Sequence, residues 1–359
     1  GSVYASSVLL SAVGGVRVAV GGLFVGGLAD RRGRVLAFSL SVLLCSAATA
    51  GLSTSAALWQ LIAWRVAVGL GMGGEWSCGS VLVAETWPAE HRGKAMGLMQ
   101  SGWAIGAMIA AGASALIIGR FGWRVLFLIG ALPAIAAYFI RRNVEEPPVW
   151  MARPREASRW SEMFAKPFLR RTVIATALSS SVLIAFWGVT SWLPAFLATP
   201  LAKGGAGLTV TTSARWLIAL QAGAFFGYIS FGWIADRIGR RPAFTAFMIA
   251  ATILVPLFAF YARTPILLLT LGPLLGFFAH GYFSLFGAML AELFPTRIRA
   301  GAQGFCYNGG RLASAAAPFA IGFASKTYNF AVVITCAALF FAVGGVLVWL
   351  LPETKGTEL

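Results

Sequence analysis

Long apolar runs broken by short charged clusters dominate this chain. Tyr4 to Ala29 carries a single charge, and Ala243 to Tyr261 carries none. Runs of about 20 residues have the length that crosses a ~30 Å hydrocarbon core as a helix. Backbone groups in lipid must bond within their own segment, so these runs are expected as helices and not as open sheets. The pattern places helices at about 4–28, 36–52, 58–84, 94–118 and 123–140, and then at about 171–197, 214–235, 243–261, 266–290, 301–325 and 329–351.

The charged clusters repeat. Gly26-x-x-x-Asp30-Arg31-x-Gly33-Arg34 returns as Gly232-x-x-x-Asp236-Arg237-x-Gly239-Arg240, 206 residues later. Glu85-x-x-Pro88-x-x-x-Arg92 returns as Glu292-x-x-Pro295-x-x-x-Arg299, 207 residues later. The chain therefore reads as two copies of one helical unit, an arrangement that lets one half of a transporter rock against the other. The expected fold is an all-α membrane protein of two pseudo-symmetric six-helix bundles. An N-terminal bundle spans 1–140, a linker 141–170, and a C-terminal bundle with a short tail 171–359. The second copy has one more helix ahead of its cassette than the first. The repeat thus predicts a further helix, roughly 35–40 residues, before Gly1.

Composition agrees: 58% of the 359 residues are apolar and 11% charged, against about 25% charged in soluble domains. The net charge of +16 is topological. Nineteen of the 28 Lys and Arg residues fall on the cassette side or in the linker, and six on the opposite side. Basic residues accumulate on the cytoplasmic side of a membrane. The cassettes and C-terminus are therefore expected in the cytoplasm, in a multi-pass protein of the cytoplasmic membrane, with no nucleic-acid partner. The linker, with Arg153, Arg155 and Arg159, reads as an amphipathic segment on the anionic leaflet. Cys45, Cys78, Cys306 and Cys336 lie in apolar spans as packing residues. There is no metal-ligand spacing, phosphate loop or nucleophile–base set. The chain is thus expected not to be an enzyme and to need no cofactor. A proton gradient is the expected driving force, and the protein is expected to be monomeric.

The cassettes and their Glu-x-x-Pro-x-x-x-Arg followers resemble the major facilitator superfamily over essentially the whole chain. Arg65-x-x-x-Gly69-x-Gly71-x-Gly73 resembles that family's fourth-helix motif. Gly73-Gly74-Glu75-Trp76 and Gly304-Phe305-Cys306-Tyr307-Asn308-x-Gly310-Arg311 resemble its metabolite:proton symporters and sialic-acid, shikimate and organic-acid permeases. Pro352-Glu353-Thr354-Lys355-Gly356 is similar to the sugar-porter ending. The resemblance implies that Asp30 docks on a helix start near Gly301, and Asp236 near Gly93. A carboxylate is stabilised at a helix N-terminus. Arg34, Glu85, Arg92, Arg240, Glu292 and Arg299 would complete a gate; plain positive-inside anchoring is the blander reading.

Charge inside a membrane costs at least ~2.5–3.5 kcal/mol per residue and calls for a reason. Arg17 sits ~20 Å from the cassette end of its helix and Arg311 ~16 Å. Tyr307 and Asn308, one turn before Arg311, share its face. An arginine fork beside neutral hydrogen-bonding groups suits a carboxylate. A small-molecule carboxylate, carried with protons, is therefore expected between Arg17 and the Tyr307/Asn308/Arg311 face. The alternative is helix pairing by polar side chains. Glu75, ~15 Å deep, is the candidate proton carrier; a neutral or paired structural acid is the other reading. Arg65 lies ~15 Å along the same helix from Glu75 and cannot pair with it directly. The resemblance implies that it works with an acid on the expected helix before Gly1; the other reading is that it extends to the interface. His280 is a candidate relay or a packing residue. Gln100, Gln221 and Trp187 are candidate cavity liners, whereas Trp192 fits an interfacial anchor better. The expected activity is proton-coupled symport of a small organic acid. A sugar or polyol porter, a drug exporter and a non-transporting protein remain the alternatives.

Overall fold

The computed structural model describes residues 2–152, 160–200, 205–208, 210–325 and 327–359. Arg153, Arg155 and Arg159 of the linker lie outside the described residues. Every regular element among those described is helical. The first repeat comprises α1 (Ser2–Arg32), α2 (Arg34–Leu52), α3 (Leu58–Thr86), α4 (Arg92–Ile129) and α5 (Pro133–Asn143). A short α6 (Pro148–Met151) and a 3₁₀ turn (Trp160–Phe164) follow in the linker. The second repeat comprises α7 (Lys166–Ala198), α8 (Val210–Ile238), α9 (Arg240–Tyr261), α10 (Pro265–Gly281), α11 (Phe283–Leu293), α12 (Arg299–Ser314), α13 (Ala317–Ala324) and α14 (Phe330–Leu347). Eight helical segments among the described residues are long and apolar enough to cross a membrane.

The expected spans are present, but three are broken. The span near 301–325 divides into α12 and α13, because Pro318 has no N–H to return to Ser314. Span 123–140 turns at Gly130 and restarts with Pro133 in the first turn of α5, where a missing N–H costs nothing. Ahead of it, α4 kinks at Gly122, whose φ of 77° replaces the expected loop. Span 266–290 divides at Tyr282, where Leu285 N–H bonds back only three residues.

Both cassettes fold alike. Gly33 (φ 122°) and Gly239 (φ 104°) turn the chain between α1 and α2 and between α8 and α9. Only glycine takes such angles without strain, which explains its place between the cassette's Asp-Arg and final Arg. Across the molecule, α1 packs on α12, and α8 on α4. The backbones nearly touch there: a Cβ on Gly26 would lie 2.6 Å from the Ala300 carbonyl oxygen, and one on Gly97 2.6 Å from that of Tyr228. The largest apolar core lies in the second repeat and takes in Phe186, Phe231, Phe244, Phe286 and Phe341.

Candidate functional site

At the cassette face, helix starts from one repeat meet carboxylates from the other. Asp30 at the end of α1 accepts from the Ala300 and Gly301 amides of α12, at 3.0 and 2.8 Å. Asp236 at the end of α8 accepts from the Gly93 and Lys94 amides of α4, at 3.1 and 3.0 Å. The first-turn amides of a helix have no partner of their own, so each carboxylate completes a helix that belongs to the other repeat.

Arginines tie the carboxylates together. Arg34 donates to Asp30 at 2.6 Å and to both oxygens of Glu85 at 2.9 and 3.0 Å. Arg299, from the other repeat, also reaches Glu85 at 2.5 Å. In the second copy, Arg240 donates to Asp236 at 2.5 Å and Arg92 to Glu292 at 2.7 Å. Arg34, Arg92, Arg240 and Arg299 are all at most 2% exposed. Buried charges of this kind persist only when paired and hydrogen-bonded.

Above this seal lies a cavity of about 720 Å³ between the repeats. Its wall is rich in aromatic side chains, among them Trp76, Trp103, Phe186, Trp187, Tyr228, Phe283 and Tyr307. Trp76 of α3 stacks on Tyr307 of α12 with ring centroids 3.8 Å apart, and its indole N–H donates to Gln100 at 3.2 Å. The stack joins the two repeats. Arg311 lies with its guanidinium 5.0 Å from the Tyr307 ring centre, and its Nε has no hydrogen-bond partner. Arg311 and Glu75 are the only charged side chains among the described lining residues. They form no ion pair within 4.0 Å. The far half of α4 borders open space: a Cβ on Gly102, Gly106, Gly112 or Gly119 would meet no atom within 4 Å. On the cassette side, Gln303 bonds Ser80 across the repeats at 2.5 Å.

The sequence matches the Major Facilitator Superfamily over residues 2–230 and 200–358. This chain belongs to the major facilitator superfamily. A putative metabolite transport protein of Haemophilus influenzae is 32% identical over 94% of this chain and 85% of its own length. A niacin transporter of Acinetobacter baylyi is 30% identical over 99% of this chain and 87% of its own. Among solved structures, a proton:xylose symporter with bound 6-bromo-6-deoxy-D-glucose superposes with a TM-score of 0.78 at 17% identity. That match covers 100% of this chain and 89% of the symporter. The protein is thus an all-α, multi-pass membrane protein of the major facilitator fold.

Within this major facilitator chain, the cavity gathers Glu75, Gln100, Trp187, Tyr307 and Arg311 from the residues expected there. Five others lie elsewhere. Asn308 is buried, its Nδ2 3.5 Å from the Gly73 carbonyl, filling the space left by Gly22 on α1. Three residues on a helix are offset enough that Asn308 and Arg311 face different neighbours. Arg17 lies against Gly69 of α3, close enough to Arg65 for the like charges to act on each other, so it does not frame the cavity with Arg311. Arg65 is exposed. Gln221 and His280 line a smaller chamber of about 370 Å³. Trp192 donates to the Pro318 carbonyl at 2.8 Å.

Two residues of the cassette face were missed. Glu146 accepts from the Arg34 and Val35 amides at 2.7 and 3.1 Å, capping α2. Glu353 accepts from the Arg240 and Arg241 amides at 2.8 and 3.0 Å, capping α9. The signal was available: they stand 207 residues apart, the same offset as Glu85 and Glu292. They look dissimilar in sequence because Pro-Pro follows one and Thr-Lys-Gly the other.

Proposed function

We propose that this chain is a secondary active transporter that carries a small organic acid together with protons across the cytoplasmic membrane. The observation that supports this most is Arg311. It stands on the wall of a cavity rich in aromatic residues, and among the described residues it has no ion-pair partner and its Nε donor is unused. A guanidinium in that position offers paired N–H donors to a carboxylate, in surroundings where such bonds are worth more than in water. Glu75 on the same wall is the coupling acid. When it is protonated the cavity holds one cation ready for an anion; when it is charged it competes for Arg311.

The related niacin transporter and the metabolite transport protein support this class of cargo. The sugar-porter-like ending does not favour a sugar. Glu353 of that motif caps α9 and Lys355 reaches the Arg237 carbonyl at 2.7 Å, so the motif serves the cassette face and not the cavity. The Asp30 and Asp236 contacts are the inner gate. They bond one repeat to the other, so they must part for the cavity to open there. The excess of basic residues at that face supports a cytoplasmic position for it.

Uptake into proteoliposomes tests the reading. Arg311→Gln is expected to weaken saturable uptake of a monocarboxylate by about thirty-fold or more. Unchanged affinity for the acid in that variant would refute it. Glu75→Gln, a mimic of the protonated acid, is expected to keep exchange between equal pools and lose accumulation driven by a pH gradient. Accumulation that survives places coupling elsewhere.

A further inference from the structure

The chamber of about 370 Å³ is not a separate cleft. It shares Trp103, Ala107, Phe186 and Trp187 with the main cavity, so the two adjoin along that border. Gln221 precedes the cavity residue Tyr228 by seven positions on α8, about 10 Å along the axis away from the cassette face. His280 of α10 is 4% exposed, and the rings of Phe186 and Tyr228 meet it edge-on at 4.9 and 6.3 Å. Gln221 Oε1 and His280 Nδ1 are buried and meet no well-formed hydrogen-bond partner among the described residues, although the Gly276 carbonyl one turn back lies near the His280 ring. Groups left so carry their full desolvation cost unless something else bonds them. No charged side chain is among the described residues lining the chamber.

We propose that this chamber is the second half of a bipartite substrate site. It receives a neutral hydroxyl at the end of the acid opposite its carboxylate. The inference rests on the reading of Arg311 as the carboxylate anchor. With the carboxylate at Arg311, the body of the substrate lies among Trp76, Phe186 and Trp187, and its far end passes into the chamber. A hydroxyl suits the two orphaned groups best. It donates its one proton to Gln221 Oε1 and accepts from His280 Nδ1 in the tautomer that carries the ring proton there. A second carboxylate has no cation there to replace its water, so the chamber discriminates against dicarboxylates. Selectivity of this kind is strong, because a substrate lacking the hydroxyl leaves the buried acceptor unpaired.

The test measures dissociation constants of the purified protein in lipid nanodiscs for four probes: benzoate, 4-hydroxybenzoate, cinnamate and 4-hydroxycinnamate. At least one hydroxylated acid is expected to bind about ten-fold more tightly than its unsubstituted counterpart. Gln221→Leu is expected to bring that ratio close to one, and His280→Phe to reduce it. Gln221→Met, which fills similar volume without an acceptor, replaces Gln221→Leu if the latter does not fold. A ratio that persists in the Gln221 variant overturns the inference, as does a wild-type protein that binds the acids with no hydroxyl preference. Either result leaves the Arg311 reading standing if Arg311→Gln still abolishes binding of all four. Binding of none of the four by the wild type overturns both.

Discussion

The two copies of the cassette network differ in how completely they are bonded. In the first, all three guanidinium nitrogens of Arg34 are used: two on Glu85, one on Asp30, and the Thr296 carbonyl in addition at 2.8 Å. In the second, the Arg240 bond to Glu292 stretches to 3.4 Å, and both Arg240 Nε and Glu292 Oε2 lack partners among the described residues. The C-terminal tail takes up part of the deficit. Arg92 donates to the Thr357 carbonyl at 2.9 Å, and Leu359 packs on the small cluster of Ala84, Met96, Ala288 and Ala291. Duplicated residues have therefore not produced duplicated energetics. The first copy is closed by its own side chains, and the second by its side chains plus a tail.

The largest effect should expose that asymmetry. Glu85 serves Arg34 and Arg299 from opposite repeats, so Glu85→Gln leaves two buried cations short of charge. Removing one member of a buried pair costs about 3–5 kcal/mol. Glu292→Gln breaks one short bond and one long one, and is expected to cost about 1.5–3 kcal/mol. Spin labels at Arg32 and Arg237 would read the separation of the repeats at the cassette face. A larger open population in Glu85→Gln than in Glu292→Gln is the expected order. Equal populations would show that the missing bonds of the second copy are filled in the membrane.

Next in size are the two caps. Glu146→Ala uncaps α2 and Glu353→Ala uncaps α9, each for about 1 kcal/mol. Their consequences should differ more than their costs. Loss of Glu353 also frees the tail that supports Arg92, whereas Glu146 holds no such strap. In the Arg32–Arg237 distance measurement, Glu353→Ala should widen the open population more than Glu146→Ala. The reverse order would mean that the tail adds nothing to the second copy.

The cassette face was legible from the sequence because charge in an apolar chain is rare and these charges occur twice. Spacing and resemblance together placed Asp30 at Gly301 and Asp236 at Gly93, where the contacts are found. The cavity was less legible. Its wall includes Trp76, Trp103, Phe186 and Phe283, and an aromatic residue in an apolar span reads as packing until its neighbours are known. The stack of Trp76 on Tyr307 joins positions on α3 and α12 that share no pattern. Asn308 shows the limit of face arguments: periodicity put it beside Arg311, but the room left by Gly22 and Gly73 decided where it points. Helix breaks were hidden by continuous hydropathy, although Pro133 and Pro318 marked two of them.

The smallest effect is a pH dependence confined to the tail. Burial pushes the Glu353 carboxyl up, but the amides of Arg241, Arg240, Lys355 and Thr354 hold its charged form and bring it below the ordinary value of about 4.5. A carboxyl with a depressed folded pKa contributes stability that is fully present above that ordinary value. The contribution is lost as pH falls through the folded one. The tail should therefore stay docked from neutral pH down to about 4.5 and loosen below it. Much of Glu353 is open to water, so screening keeps the effect small. A spin label at Glu358, in a Cys336→Ala background, would report tail mobility. Wild type should gain mobility only in that acid range. Glu353→Gln should be mobile at pH 7 already and change little on acidification. An acid response of equal size in Glu353→Gln would assign the titration to another group and leave the second copy's tail independent of this cap.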